Sequence, residues 1–137
     1  MPGRYYLDTA IWMDYYEDRK DRSRNLRDIA FKLLCKILAS HSKILISRFT
    51  LMELETFYSL DEIRGIVFPF EKLIEKVEMS EEQIVFAEKV AKERKIPKGD
   101  AVHAILARDN NVILISRDKH FHLLKDITVA MKPEEII

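Results

Sequence analysis

Four carboxylates stand where an alternation of strands and helices would bring them together: Asp8, Glu53, Asp100 and Asp118. Asp8 closes the apolar run Tyr5-Tyr6-Leu7, and Asp118 lies just past Val112-Ile113-Leu114-Ile115-Ser116. Glu53 and Asp100 fall in the first turns of two helical patterns. Carboxylates held close repel one another and raise each other's proton affinity. Hard divalent cations relieve that repulsion, and an all-oxygen site suits Mg²⁺ or Mn²⁺. A metal held this way can activate water and neutralise the charge on a phosphodiester. Acids at helix N-termini are also ordinary stabilising caps. One such acid carries no chemistry; four at one edge, two of them after strands, point to a metal site.

The elements that must position these acids follow from hydrophobic periodicity. Arg4-Tyr5-Tyr6-Leu7-Asp8 reads as a strand, and Thr9 can cap a short helix over 9–16. Leu26, Ile29, Ala30, Leu33, Leu34, Ile37 and Leu38 make one face of an amphipathic helix. Lys43-Ile44-Leu45-Ile46-Ser47 reads as a buried strand. Thr50 and Glu53 form a capping-box pattern for the next helix. An irregular helical stretch over 61–77 is expected to break near Gly65 and Pro69, with a short strand over 76–79. Ser80 and Gln83 give a second capping box, opening a helix to about Lys95. A further helix runs from Asp100 to the turn signal Asp109-Asn110-Asn111. Residues 112–116 read as a strand, 118–124 as a short helical turn and 127–130 as a final edge strand. Strands separated by helices predict an α/β fold with a parallel sheet covered on both faces. Strand C-termini and helix N-termini then share one edge, where such folds bind ligands, and all four acids belong to it. Asp109, about 13 Å along the Asp100 helix, does not.

Other residues have competing readings. Arg48 and Arg117 flank the acidic edge and could hold substrate phosphates or pair with the acids. Arg22 and Arg24 lie in the basic stretch Arg19-Lys20-Asp21-Arg22-Ser23-Arg24-Asn25-Leu26-Arg27, which could grip phosphates or be solvated surface. His103, one turn after Asp100, suits a supporting or packing role better than ligation in an oxygen site. His120 and His122 diverge on a helical turn and read as surface or packing. Asp14 reads as surface. Trp12, Tyr15 and Tyr16 could stack bases or form an interface, and Cys35 reads as an ordinary helix residue.

Composition narrows the field. The chain has 137 residues, 47% of them hydrophobic and 34% charged, with only three Gly and four Pro. That suits one domain over residues 1–137 and excludes disorder or low complexity. Lys plus Arg and Asp plus Glu both number 23, so the protein is no globally basic nucleic-acid binder. One cysteine excludes an internal disulfide and a cysteine-based zinc site. No apolar run is long enough to span a membrane, and none resembles a secretion signal, so a cytoplasmic location is expected. No glycine-rich phosphate loop and no Gly-x-Ser-x-Gly elbow is present.

Four segments together resemble the ordered motifs of PIN domains, most closely the VapC-like toxin ribonucleases. They are Tyr6-Leu7-Asp8-Thr9-Ala10, Ser47-Arg48-Phe49-Thr50-Leu51-Met52-Glu53-Leu54, Gly99-Asp100-Ala101-Val102-His103-Ala104-Ile105-Leu106-Ala107 and Ser116-Arg117-Asp118-Lys119-His120-Phe121. The resemblance implies a three-layer α/β/α sandwich with a mainly parallel sheet, here of four or five strands. It implies a Mg²⁺- or Mn²⁺-dependent endoribonuclease whose metal and catalytic acids are Asp8, Glu53, Asp100 and Asp118. Thr9 and Ser116 match the small hydroxyl residues that support such sites. Family members commonly dimerise, and the toxins pair with a small antitoxin protein. The aromatic first helix departs from the pattern. Two other readings remain: a housekeeping RNA-processing nuclease, and a non-catalytic module that keeps the fold for RNA or protein contact.

Overall fold

The computed structural model describes residues 3–17, 20–21 and 24–137, with residues 20–21 described by backbone alone. The chain runs through β1 (Arg4–Leu7), α1 (Thr9–Glu17), the two-residue strands β2 (Lys20–Asp21) and β3 (Arg24–Asn25), and α2 (Leu26–Ala39). It continues through β4 (Lys43–Ser47), α3 (Arg48–Glu55), α4 (Leu60–Val67), a 3₁₀ segment (Phe68–Leu73) and β5 (Ile74–Val77). Then come α5 (Glu81–Arg94), α6 (Lys98–Asp109), β6 (Ile113–Ile115), a second 3₁₀ segment (Lys119–Leu124) and α7 (Pro133–Ile136).

Four strands form one sheet in the order β5-β4-β1-β6, and every pairing in it is parallel. Register and period explain the layers. Tyr6 lies between Leu45 and Leu114, and Leu7 beside Ile115. Alternate residues of a strand face opposite ways. Tyr6, Leu45 and Leu114 therefore join the core under α5 and α6. Leu7, Ile44, Ile46 and Ile115 join a second core under α1, α2 and α4. With both faces covered, the expected three-layer α/β/α sandwich is realised. Among the described residues, no helix is long and apolar enough to cross a membrane.

Local chemistry moves some boundaries. Ser47, not Thr50, caps α3: its hydroxyl accepts from the Thr50 amide at 3.0 Å. The helix starts where β4 ends, so the cap falls three residues earlier and frees Glu53 from a capping box. Gly65 does not break α4, which Ser59 and Glu62 cap reciprocally. Pro69 instead opens the 3₁₀ segment that follows. Strand β5 begins at Ile74, two residues before the expected start, because Ile74 rather than Lys76 pairs first with β4. Helix α6 starts at Lys98, behind Pro97. The expected strand over 127–130 does not form. A single parallel bridge, Ile115 with Met131, takes its place. The Met131 amide donates to the Leu114 carbonyl and its own carbonyl accepts from Ser116.

Candidate active site

Each acid owes its position to the element that carries it. Asp8 leaves β1 with its amide donating to the Ile115 carbonyl at 3.0 Å, while its carbonyl accepts the Ile11 amide of α1. Its carboxylate accepts the Ser116 hydroxyl at 2.7 Å. Ser116 also accepts the Asp118 amide at 3.0 Å. One buried serine thus ties the ends of two neighbouring strands. Asp118 in turn caps the second 3₁₀ segment, accepting the His120 amide at 2.9 Å. Asp100 sits in the first turn of α6 and is 9% exposed.

Asp100 and Asp118 come together with His120. The His120 Nδ1 lies 3.1 Å from Asp100 Oδ2 and 2.9 Å from Asp118 Oδ1. The angles do not make hydrogen bonds, and Asp100 Oδ2 and His120 Nδ1 are buried without a bonding partner. Burial, reinforced by the charges of Asp118 and Asp8, pushes Asp100 up to about 6. Among the described residues the group that could hold a cation is Asp100, Asp118 and His120; Asp8 and Glu53 lie outside that close cluster. Its donors are two carboxylates and one imidazole nitrogen, and the carboxylate oxygens are the kind a hard divalent cation prefers.

Glu53 is held differently. Its Oε1 accepts from the Thr9 hydroxyl and from His103 Nε2, each at 2.6 Å. Burial works to raise its pKa, but the bonds from His103 and Thr9 and the His103 charge bring it below the ordinary value. His103 is 1% exposed, and Phe49 and Tyr6 pack edge-on against its ring. Its Nδ1 meets the Tyr6 hydroxyl at 2.6 Å, and that hydroxyl meets Ser47 Oγ at 2.6 Å. Burial opposes charge on the imidazole. The Tyr6 hydroxyl and the Glu53 and Asp8 carboxylates outweigh it and raise its pKa. A protonated His103 would donate from both nitrogens, to Glu53 and to the Tyr6 hydroxyl. Gly99 lets α6 pass over this group: a Cβ there would lie 3.0 Å from Glu53 Oε2.

The other sequence candidates are placed as follows. Arg48 is exposed at the start of α3. Arg117 donates to Glu134 at 2.6 Å, and Arg24 lies 3.6 Å from the same carboxylate. Both arginines thus meet at α7. Arg22 lies outside the described residues. Trp12 is fully buried and Tyr15 stacks on Phe31, so of the three aromatics only Tyr16 is well exposed. Asp14, read as surface, is 5% exposed: the α1 face that carries it packs into the core with Ile11 and Trp12. Sequence reasoning missed His120, whose ring folds back because its own amide bonds the Asp118 carboxylate. It also missed Tyr6 and Glu134, which lack any local signal.

A family model of the PIN domain matches residues 5–127. The chain belongs to the PIN domain family. Solved structures agree in fold with this PIN domain. VapBC-1 from nontypeable Haemophilus influenzae superposes with a TM-score of 0.65 at 20% identity, covering 96% of this chain and 98% of that one. FitAcB from Neisseria gonorrhoeae gives 0.63 at 17% identity, covering 95% and 98%. VapBC2 from Rickettsia felis, bound to a DNA fragment from its promoter, gives 0.62 at 20% identity, covering 94% and 96%. No curated protein sequence matches this PIN domain.

Proposed function

We propose that this PIN domain is a Mg²⁺- or Mn²⁺-dependent endoribonuclease, and that it serves as the toxin of a toxin–antitoxin pair. One observation carries the nuclease reading: Asp100, its pKa raised by burial and by Asp118 and Asp8, presents a buried oxygen with no bonding partner. Asp8, Glu53, Asp100 and Asp118 would hold the metal. Bound there, it would polarise the scissile phosphate and make water a stronger nucleophile. Ser116 fixes Asp8 and the turn carrying Asp118. Thr9 and His103 grip one oxygen of Glu53, so its carboxylate cannot rotate. Acids held this rigidly align a nucleophile without reorganising during the reaction.

The toxin reading rests on the fold shared with the toxin–antitoxin complexes, among them one from Klebsiella pneumoniae at TM-score 0.61. It implies a small antitoxin partner and a two-copy assembly. The test begins with cleavage of single-stranded RNA by the purified protein, with and without Mn²⁺. Asp8→Asn should abolish cleavage while the circular dichroism spectrum is unchanged. Metal-dependent cleavage by carefully purified Asp8→Asn protein would overturn the assignment. Expression should arrest growth, and co-expression of a small partner should relieve it. A free homodimer without growth arrest would favour a housekeeping processing nuclease.

A further inference from the structure

A second feature adjoins the acids. Past Asp118 the chain turns through the 3₁₀ segment Lys119–Leu124 and returns along 129–135. Between these passes lies a pocket of about 290 Å³. Arg117, Lys119, His122, Lys125 and Lys132 line it beside one carboxylate, Glu135, and Ser116 and Asp118 form its boundary with the acidic edge. Lys119, His122, Lys125 and Lys132 are exposed. No carboxylate pairs with Lys119, Lys125 or Lys132 among the described residues, in contrast to Arg94, Arg108 and Lys98 elsewhere. The acids near the pocket are otherwise engaged. Asp118 caps its turn, Glu135 accepts the Lys132 amide at 2.7 Å, and Glu134 holds Arg117.

We propose that this pocket binds a backbone phosphate of the RNA strand, next to the phosphate that is cleaved. The proposal rests on the nuclease reading and adds the strand-binding site to it. The physical need is plain. The chain is neutral overall, and its acidic edge repels a polyanion until a cation is bound. Cations one turn away attract the strand without neutralising the acids, since among the described residues no carboxylate pairs with the three lysines. Their position fixes where the strand lies. Asp118 is shared by both sites, so a phosphate in the pocket belongs to a nucleotide close to the scissile bond. Arg117, anchored by Glu134, makes a fixed wall, and the three lysines supply the mobile charge.

The test uses the full chain carrying Asp8→Asn and a labelled single-stranded RNA oligonucleotide. Binding is titrated across salt concentrations. Lys125→Ala/Lys132→Ala should weaken binding about tenfold at low salt. It should also flatten the dependence of log K on log salt by about 1.4, because each lysine that neutralises a phosphate of a single strand steepens that slope by about 0.7. Lys72→Ala/Lys76→Ala, beside β5 at the opposite edge of the sheet, should change neither. In the otherwise unaltered enzyme the pocket pair should raise KM for the oligonucleotide and spare kcat. The Mn²⁺-induced rise in Tm should also be spared. An unchanged salt slope, or an equal loss in the control pair, overturns the proposal. So does inorganic phosphate or a free mononucleotide that binds as tightly as the oligonucleotide. If the protein never cleaves RNA yet the slope depends on Lys125 and Lys132, the nuclease reading fails and the pocket stands. If it cleaves and the pair has no effect, the pocket fails alone.

Discussion

Removing a charge from the acidic edge should stabilise this protein, provided no metal is present. Asp100 is the best position to test. Its side chain is 13% exposed, and its carboxyl titrates at about 6 in the fold against 3.8 when free. That difference corresponds to about 3 kcal/mol at neutral pH. The edge is open to water, and screening reduces the figure to about 1–2 kcal/mol. For a domain of this size, 1 kcal/mol moves Tm by about 3 °C. Asp100→Asn should therefore melt about 3–6 °C higher than the parent at pH 7.5 in EDTA. The sign with pH follows from linkage. A carboxyl whose pKa is raised by folding favours the fold below 3.8 and loses that advantage as pH rises through about 6. The benefit of Asn should thus be complete above about pH 6 and vanish near pH 4. With saturating Mn²⁺ the order should reverse, because under the proposed function the parent would bind metal and the variant would lack a ligand. Scanning calorimetry at pH 4, 5, 6 and 7.5, with EDTA and with Mn²⁺, reads all of this. A variant that is destabilised in EDTA at pH 7.5, or equally stabilised at pH 4, would refute the reasoning.

Other perturbations probe the same construction. Mn²⁺ at a hundredfold excess over its Kd should stabilise the parent by about 2.7 kcal/mol. Glu53→Gln should shrink that gain, and an undiminished gain in Glu53→Gln/Asp100→Asn would place the metal elsewhere. His103→Ala removes one partner of the buried Tyr6 hydroxyl, which keeps Ser47, and leaves a cavity, so urea unfolding should show a loss of about 2–3 kcal/mol. A loss below about 1 kcal/mol would mean the imidazole does not organise this region. Gly99→Ala puts a methyl 3.0 Å from Glu53 Oε2. It should weaken the Mn²⁺-induced rise in Tm while changing the metal-free Tm little. An unaltered metal response would exclude Oε2 from the site.

The sequence was informative where one element decides one residue. Asp8 and Asp118 follow apolar runs, and an α/β alternation sends strand ends to one edge. The α2 stripe and the Ser80–Gln83 cap needed only local periodicity. Legibility failed where distant chain segments decide. Ile74 becomes a strand residue because β4 offers it a partner, which its own neighbours do not reveal. Ser47 caps α3 because no loop separates that helix from β4. His120 faces Asp100 through a capping turn rather than a regular helix, so helical spacing misplaced it. Glu134 reaches Arg117 only because α7 packs back on the fold.

The bond between Ser116 and Asp8 joins residues 108 apart in sequence. The turn holding Asp118 is closed later still, by the amide and carbonyl of Met131. On a ribosome, Asp8 and Glu53 emerge long before their partners exist. A nascent chain therefore carries isolated, solvated acids and no assembled edge. Parallel pairing of β6 beside β1 is a late, non-local event, because its loop-closure entropy is met only when both strands are available. The acidic edge is thus assembled only once the segment through Met131 has joined β1 and β6.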